Sequence, residues 1–195
     1  ALYHVSAEGE IEEEVSLPAE LLAVEKRFGF EGITLVNGTL WMAVQREWAD
    51  DEKGQVKLVA YTPESGEWGA VRYPLDAPTT GWVGLSEIVA HGDHVYLVER
   101  DNLLGEAATT KKITRVALSG MQPAPLGGDL PLVSKEEVRD LLPDLKANGG
   151  YVLDKVEGLA IFDNGTAWVS TDNDGVDDHS GETMFFSVGT LGTGY

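Results

Sequence analysis

At 195 residues with 43% hydrophobic content, the chain is long enough to bury a core and too apolar to be disordered. Acidic residues outnumber basic ones 33 to 14, giving a formal net charge of −19, which excludes sequence-independent attraction to nucleic acid or anionic lipid. The absence of cysteine removes disulfides, thiolate metal centres and cysteine nucleophiles, and no apolar run reaches the length needed for insertion into a membrane.

Residues 2 to 16 read as two strands around a turn at Glu8-Gly9, the outer edge of a sheet, with Glu8, Glu10 and Glu12 to Glu14 on its solvated side. Pro18 marks a helix start, and AELLAVEK supplies one or two turns of it. The segment 28–47 then reads FGFEGITLVNGTLWMAVQRE, and its pattern returns as GLSEIVAHGDHVYLVERD over 84–101 and as KVEGLAIFDNGTAWVSTDND over 155–174. Each copy has an acid near its start, an alternating apolar run, a turn dipeptide, a second apolar run and a polar cluster. The repeated acids Glu31, Glu87 and Glu157 lie 56 and 70 residues apart, with Ser86 before the acid in the middle copy. Recurring hairpins at such spacing predict blades of a β-propeller.

The first blade has strands near 31–36, 39–46, 55–61 and 67–73. The second has strands near 85–90, 94–100 and 111–118, and its fourth is obscured by the Pro- and Gly-rich stretch 120–131. SKEEVRDLLPDLKA carries a capping box, Ser134 with Glu137 three residues later, and Pro143 as a stop, which predicts a helical insertion over 134–147. The third blade runs from Val156 through its hairpin and a Gly- and Asp-rich loop to 183–188. The expected fold is all-β and β-propeller-like, a partial ring of about three four-stranded blades with short helical insertions, forming a single domain over 1–195. Three blades do not close a ring, and an open arc exposes strand edges, so a longer chain at the N-terminus or a second chain is expected to complete it.

Pairing backward from Asn37-Gly38 sets Val36 against Thr39 and brings Glu31 opposite Val44, beside Gln45. The same count from Gly92-Asp93 brings Glu87 beside Glu99, and from Asn164-Gly165 it brings Glu157 opposite Asp172. Radial hairpins would gather these groups on one rim. Crowded carboxylates need protons or a cation, and convergent oxygens suit calcium. The expected ligands are therefore Glu31, Glu87, Glu99, Asp101, Glu157, Asp172 and Asp174; the competing reading is a repeated structural contact in which each Glu accepts backbone amides. The loop DNDGVDDHSGE, 172–182, could wrap a cation without being an EF-hand, and His179 within it is a candidate ligand or acid/base group. Arg46 and Arg100 occupy the same place in successive hairpins; with Lys155 they are candidates to hold a phosphate, or else to neutralise neighbouring acids. No Gly-x-Ser-x-Gly elbow is present, which disfavours a serine esterase.

GFEG at 29–32, LVERD at 97–101, KVEGLA at 155–160 and TDND at 171–174 resemble the phytase-like family described as having esterase-like activity of phytase. The resemblance covers about 28–186 and implies a secreted or periplasmic bacterial protein with a β-propeller-like fold that hydrolyses phosphomonoesters or esters. On that reading the acids hold calcium, calcium binds a small phosphorylated or ester substrate, and Glu157, with Glu31, supplies the carboxylate chemistry that activates water. The alternatives are a calcium-dependent lactonase or esterase propeller and a non-catalytic, calcium-stabilised binding module.

Overall fold

The computed structural model describes residues 1–153, 155–173 and 183–191. Strands β1 (Leu2–Val5) and β2 (Ile11–Val15) form a separate hairpin, and helix α1 (Ala19–Leu22) follows Pro18. The first blade is β3 (Phe30–Val36), β4 (Thr39–Val44), β5 (Gln55–Thr62) and β6 (Glu67–Pro74), antiparallel and in chain order. The second is β7 (Val83–His91), β8 (His94–Asp101), β9 (Lys111–Ala117) and β10 (Glu136–Asp140), again in chain order. The third comprises β11 (Lys155–Ile161), β12 (Thr166–Asp172) and β13 (Phe185–Thr190) among the described residues. Because β7 packs against both β3 and β11, the first strand of each blade is innermost. This is the β-propeller-like partial ring that the hairpin repeats predict.

Alternation along each strand builds the core between blades. Val56, Leu58, Val71 and Tyr73 of the first blade meet Leu85, Ile88, Val95 and Leu97 of the second. The neighbouring Val98 points the other way, joining Ile113 against Val156, Leu159 and Val169 of the third. The outer face of the first blade is covered by Leu21 of α1 with Leu2 and Val15 of the N-terminal hairpin. The tight turn between β3 and β4 places Asn37 at φ 48° and Gly38 at φ 83°, the pair of left-handed conformations a two-residue hairpin needs.

The predicted helical insertion over 134–147 is corrected. Residues Glu136–Asp140 are strand β10, the missing fourth strand of the second blade, and helix α2 spans Leu142–Gly149. Ser134 caps no helix, and Pro143 stands in the first turn of α2 rather than at a stop, where its missing N–H costs nothing. The segment pairs antiparallel with β9 and packs Val138 on the core shared by the second and third blades, and its exposed acids meet cations of β9, Glu136 accepting from Arg115 at 2.9 Å and Glu137 from Lys112 at 2.7 Å. The Pro- and Gly-rich stretch before it lies along β6. There Ala70 and Ala124 exchange N–H···O bonds of 3.0 Å, and Arg72 N–H bonds Pro131 O at 2.7 Å. That stretch covers a strand edge that would otherwise be open.

Candidate functional site

The innermost strands carry the repeated acids, but each pairs through a β-bulge that straight counting from the turn does not show. Phe30, not Glu31, opposes Val44, and the irregularity falls between Phe30 and Gly32. In the second blade it falls between Leu85 and Glu87, and in the third between Val156 and Gly158. The bulged residues are therefore Glu31, Ser86 and Glu157. Glu87 stands one position further on, where the other two blades have Gly32 and Gly158. Lys155, rather than Glu157, opposes Asp172. A bulge inserts an unpaired residue and re-aims its side chain, which places these groups at corresponding points of the three blades.

Arg100 links this centre. Its Nε donates to Ser86 Oγ at 2.9 Å and its Nη2 to Glu157 Oε1 at 2.6 Å, while the guanidinium lies 5.3 Å from the centre of the Trp82 ring. The arginine side chain is 3% exposed, against 26% for Glu157. Thus Arg100 bridges to the next blade and does not serve its own neighbours Glu99 and Asp101. Burial, and then the charge of Glu157, raise the pKa of Glu31 despite Arg100 and Lys155 nearby. Burial also raises that of Glu87, with Glu157 adding to it and the Ile88 N–H opposing it at 2.9 Å. Glu87 owes its position to Gly32: a Cβ there would stand 2.6 Å from Ile88 N and collide with Glu87 Oε1.

The remaining predicted ligands lie elsewhere. Glu99 is buried on the opposite face of β8 from Arg100. It accepts from Tyr73 Oη at 2.6 Å, Asp76 N at 2.7 Å and Lys135 Nζ at 2.7 Å. Burial and the Glu99 charge push the Tyr73 phenol well above its usual range. Asp101 accepts from the backbone of Thr109 and Thr110 at 2.7 and 2.8 Å and pairs with the buried Lys111 at 2.9 Å. Burial alone would raise its pKa; Lys111 and these amides outweigh it and lower the value. Gln45 ties blades together through its backbone, its carbonyl accepting from Leu85 N at 3.0 Å. Asp172 is exposed at the end of β12, and Asp174 and His179 lie outside the described residues. The rim set therefore divides: Glu31, Glu87 and Glu157 converge, with Lys155 beside them, whereas Glu99 and Asp101 are engaged in packing between strands and loops.

Sequence reasoning missed Ser86 as the counterpart of Glu31 and Glu157, Trp82 as the ring beneath two arginines, and Tyr73 as partner of Glu99. Aligning SE with EG position by position, rather than acid with acid, would have exposed Ser86. Arg46 lies 4.9 Å from the Trp82 ring centre and 5.1 Å from that of Phe28. It lines a cleft of about 520 Å³ between the first two blades, together with Glu47, Lys53, Asp76 and Trp82.

Calcium is the ion that convergent carboxylates bring to mind. Carboxylate oxygens carrying excess negative charge have the right chemistry, but among the described residues no three Asp, Glu or His side chains are grouped to hold a metal ion, and Glu157 Oε1 is occupied by Arg100. The described residues do not form a ready calcium cage.

Antiparallel blades with innermost strands that bring carboxylates around a guanidinium define a propeller-type protein with an acidic centre. The chain belongs to the Phytase-like family, described as "Esterase-like activity of phytase", whose model matches residues 1–175. Among solved structures it is similar to the major allergen Mala s 1 of Malassezia sympodialis, at 9% identity and a TM-score of 0.42. That match covers 74% of this chain and 43% of the other, so the chain spans less than half the length of that structure. No curated protein matches it. No helix among the described residues is long and apolar enough to cross a membrane.

Proposed function

We propose that the chain forms part of an exported phosphoester hydrolase of the phytase-like kind, in which Glu157 and Glu31 act as base and acid on a small phosphorylated substrate. The reading is supported by family membership and carried by one observation: Glu157 is fixed by Arg100 at 2.6 Å while the neighbouring Glu31 has a raised pKa. Two carboxyls whose environments differ in this way suit opposite proton-transfer roles. Glu157 takes a proton from the attacking water as the new P–O bond forms. Glu31 gives its proton to the departing oxygen as the old bond breaks, and exchange with solvent restores both groups. Arg100 and Lys155 supply positive charge beside the centre, and Ser86 fixes the guanidinium that orients Glu157. No step is routed through calcium; calcium dependence is a separate proposal that rests on the excess of carboxylate charge.

The test is a turnover screen of 4-nitrophenyl phosphate, a carboxylic ester and a lactone, with and without added calcium, on the native chain and on Glu31→Gln and Glu157→Gln. Each substitution is expected to lower phosphoester turnover by roughly a hundredfold or more, and Glu31→Gln to abolish the basic limb of the pH profile. Turnover of the lactone or ester alone would favour the ester-hydrolase alternative. No turnover of any substrate would leave a binding module. Export is checked by fractionating the native host: the protein should appear in the periplasm or medium.

A further inference from the structure

The three inner strands align as EGITLV over 31–36, SEIVAH over 86–91 and EGLAIF over 157–162, and the residues after each bulge alternate between the two faces of the blade. Gly32 and Thr34 face the second blade: a Cβ on Gly32 would meet Ile88 N, and Thr34 Oγ1 accepts from Ala90 N at 2.9 Å. Ile33, Ile88 and Leu159 hold one equivalent position on the other face, which each blade turns toward the blade before it. Ile88 is packed in the core shared with the first blade, and Leu159 in the core shared with the second. Ile33 has no such cover among the described residues and is 52% exposed, with Leu35 next to it on the same face at 61%. Leu2 and Val15 of the N-terminal hairpin cover other parts of that face and leave this inner strip open.

The opposite end of the arc carries the other half of that contact. NGTLW over 37–41 and NGTAW over 164–168 set Trp41 and Trp168 at equivalent points on the second strands of their blades. Trp41 is buried in the core between the first and second blades. Trp168, in the last described blade, stacks at 4.9 Å on Phe185, which is 66% exposed. Trp168 opposes Ala160 and Ser187 in register, and Ser170 opposes Gly158 and Phe185, so small residues surround the aromatic pair. Their neighbours Leu159, Val169 and Phe186 point the other way, into the core shared with the second blade. Stacked repeats ordinarily carry polar outer faces on their terminal units; here both ends of the stack expose apolar side chains, which marks them as surfaces for association.

We infer that a second copy of the chain closes the ring, the first blade of each copy seating Ile33 and Leu35 on the Gly158, Ala160 and Trp168 face of the other's third blade. Each half of this contact repeats one that the chain already makes within itself, Ile33 standing for Ile88 and Trp168 for Trp41. A two-fold axis down the ring makes both contacts at once, so neither end stays open. The count of blades selects two copies: three blades in each make six, inside the range of about 4–8 in which propellers close, whereas three copies would make nine. The assembly goes beyond the hydrolase reading and does not depend on it.

The test is sedimentation velocity of the full chain from about 1 to 100 µM, repeated on Leu35→Glu and Phe185→Glu. Both side chains are exposed, so each variant is expected to keep its sheet signal in circular dichroism; if one does not, Ile33→Thr or Phe185→Ser takes its place. A species of twice the 21.0 kDa chain mass is expected. Either substitution should raise its dissociation constant roughly tenfold or more, and added salt should lower it, since each copy carries −19. A native chain that stays monomeric throughout, or one that grows into larger polymers, would overturn the closed ring. So would a dimer that depends on Leu35 and not on Phe185, or the reverse, because like faces would then be meeting.

Discussion

Glu99→Gln is predicted to act on the fold and not through a metal. The native carboxylate is fully buried and accepts from Tyr73, the Asp76 amide and Lys135, the last at 3.0 and 2.7 Å to its two oxygens. An amide keeps the shape but loses the charge and turns an NH₂ toward donors. Removing one member of a buried ion pair costs about 3–5 kcal/mol, mainly because the other charge is left uncompensated. Here Lys135 keeps Asp76 at 2.7 Å and is 16% exposed, so the cost falls near the lower end, about 3 kcal/mol. For a chain of this size that is a fall in Tm of roughly 6–12 °C. Thermal melts followed by circular dichroism, with and without calcium, measure it. A variant melting within about 2 °C of the native chain would refute the assigned role. So would a calcium-dependent rise in native Tm that the variant alone lacks, since that would make Glu99 a ligand.

Gly32→Ala should destabilise the chain by about 1–3 kcal/mol in urea unfolding, because its methyl would meet the backbone N of Ile88 at 2.6 Å as well as the Glu87 carboxylate; an unchanged midpoint would contradict that close approach. Glu31 and Glu87 have folded pKa values above the ordinary 4.5. Their contribution is therefore fully present below about pH 4.5 and is lost as pH rises through the raised values. Glu31→Gln and Glu87→Gln should raise Tm at pH 7 and leave it little changed near pH 4, and equal shifts at both pH values would count against the assignment. Asp76 and Asp101 are lowered from 3.8, so their contribution is present above that value and lost as pH falls through the depressed ones. Asp101→Asn should expose the 102–109 loop to proteolysis, since it weakens the acceptor of the Thr109 and Thr110 amides and removes the negative charge 2.9 Å from Lys111; cleavage at the native rate would argue that the loop is held otherwise.

Turn chemistry and alternation made the hairpins legible: Asn37-Gly38 fixes the β3–β4 register at Val36 and Thr39, and the strand predicted near 55–61 is found at Gln55–Thr62. What failed was long-range. The SKEEVRD segment has the local signature of a helix, but the free edge of β9, over twenty residues away in sequence, pairs with it as a strand, Glu136 opposite Arg115 and Asp140 opposite Lys112. Convergence of Glu31, Glu87 and Glu157 was legible because it follows from the repeat. Their finer geometry was not, because a bulge shifts the pairing by one residue without any mark in the turn. Glu99 and Arg100 illustrate the other limit: adjacent residues on a strand face opposite blades, so Glu99 bonds Tyr73 of the first blade while Arg100 reaches Glu157 of the third.

The three bulges separate where a side chain is presented from what that side chain is. The backbone irregularity recurs at 31, 86 and 157, yet the middle blade presents a hydroxyl where its neighbours present acids. Three acids would make a centre with no preferred direction around the axis. One small neutral residue leaves room for Arg100 to pass by Ser86 and bind the third blade, so of the two acids at the bulges Glu157 and not Glu31 has a guanidinium hydrogen bond among those described. A scaffold built from near-identical units thereby acquires a head and a tail, and anything docking at its centre meets a different partner at each end.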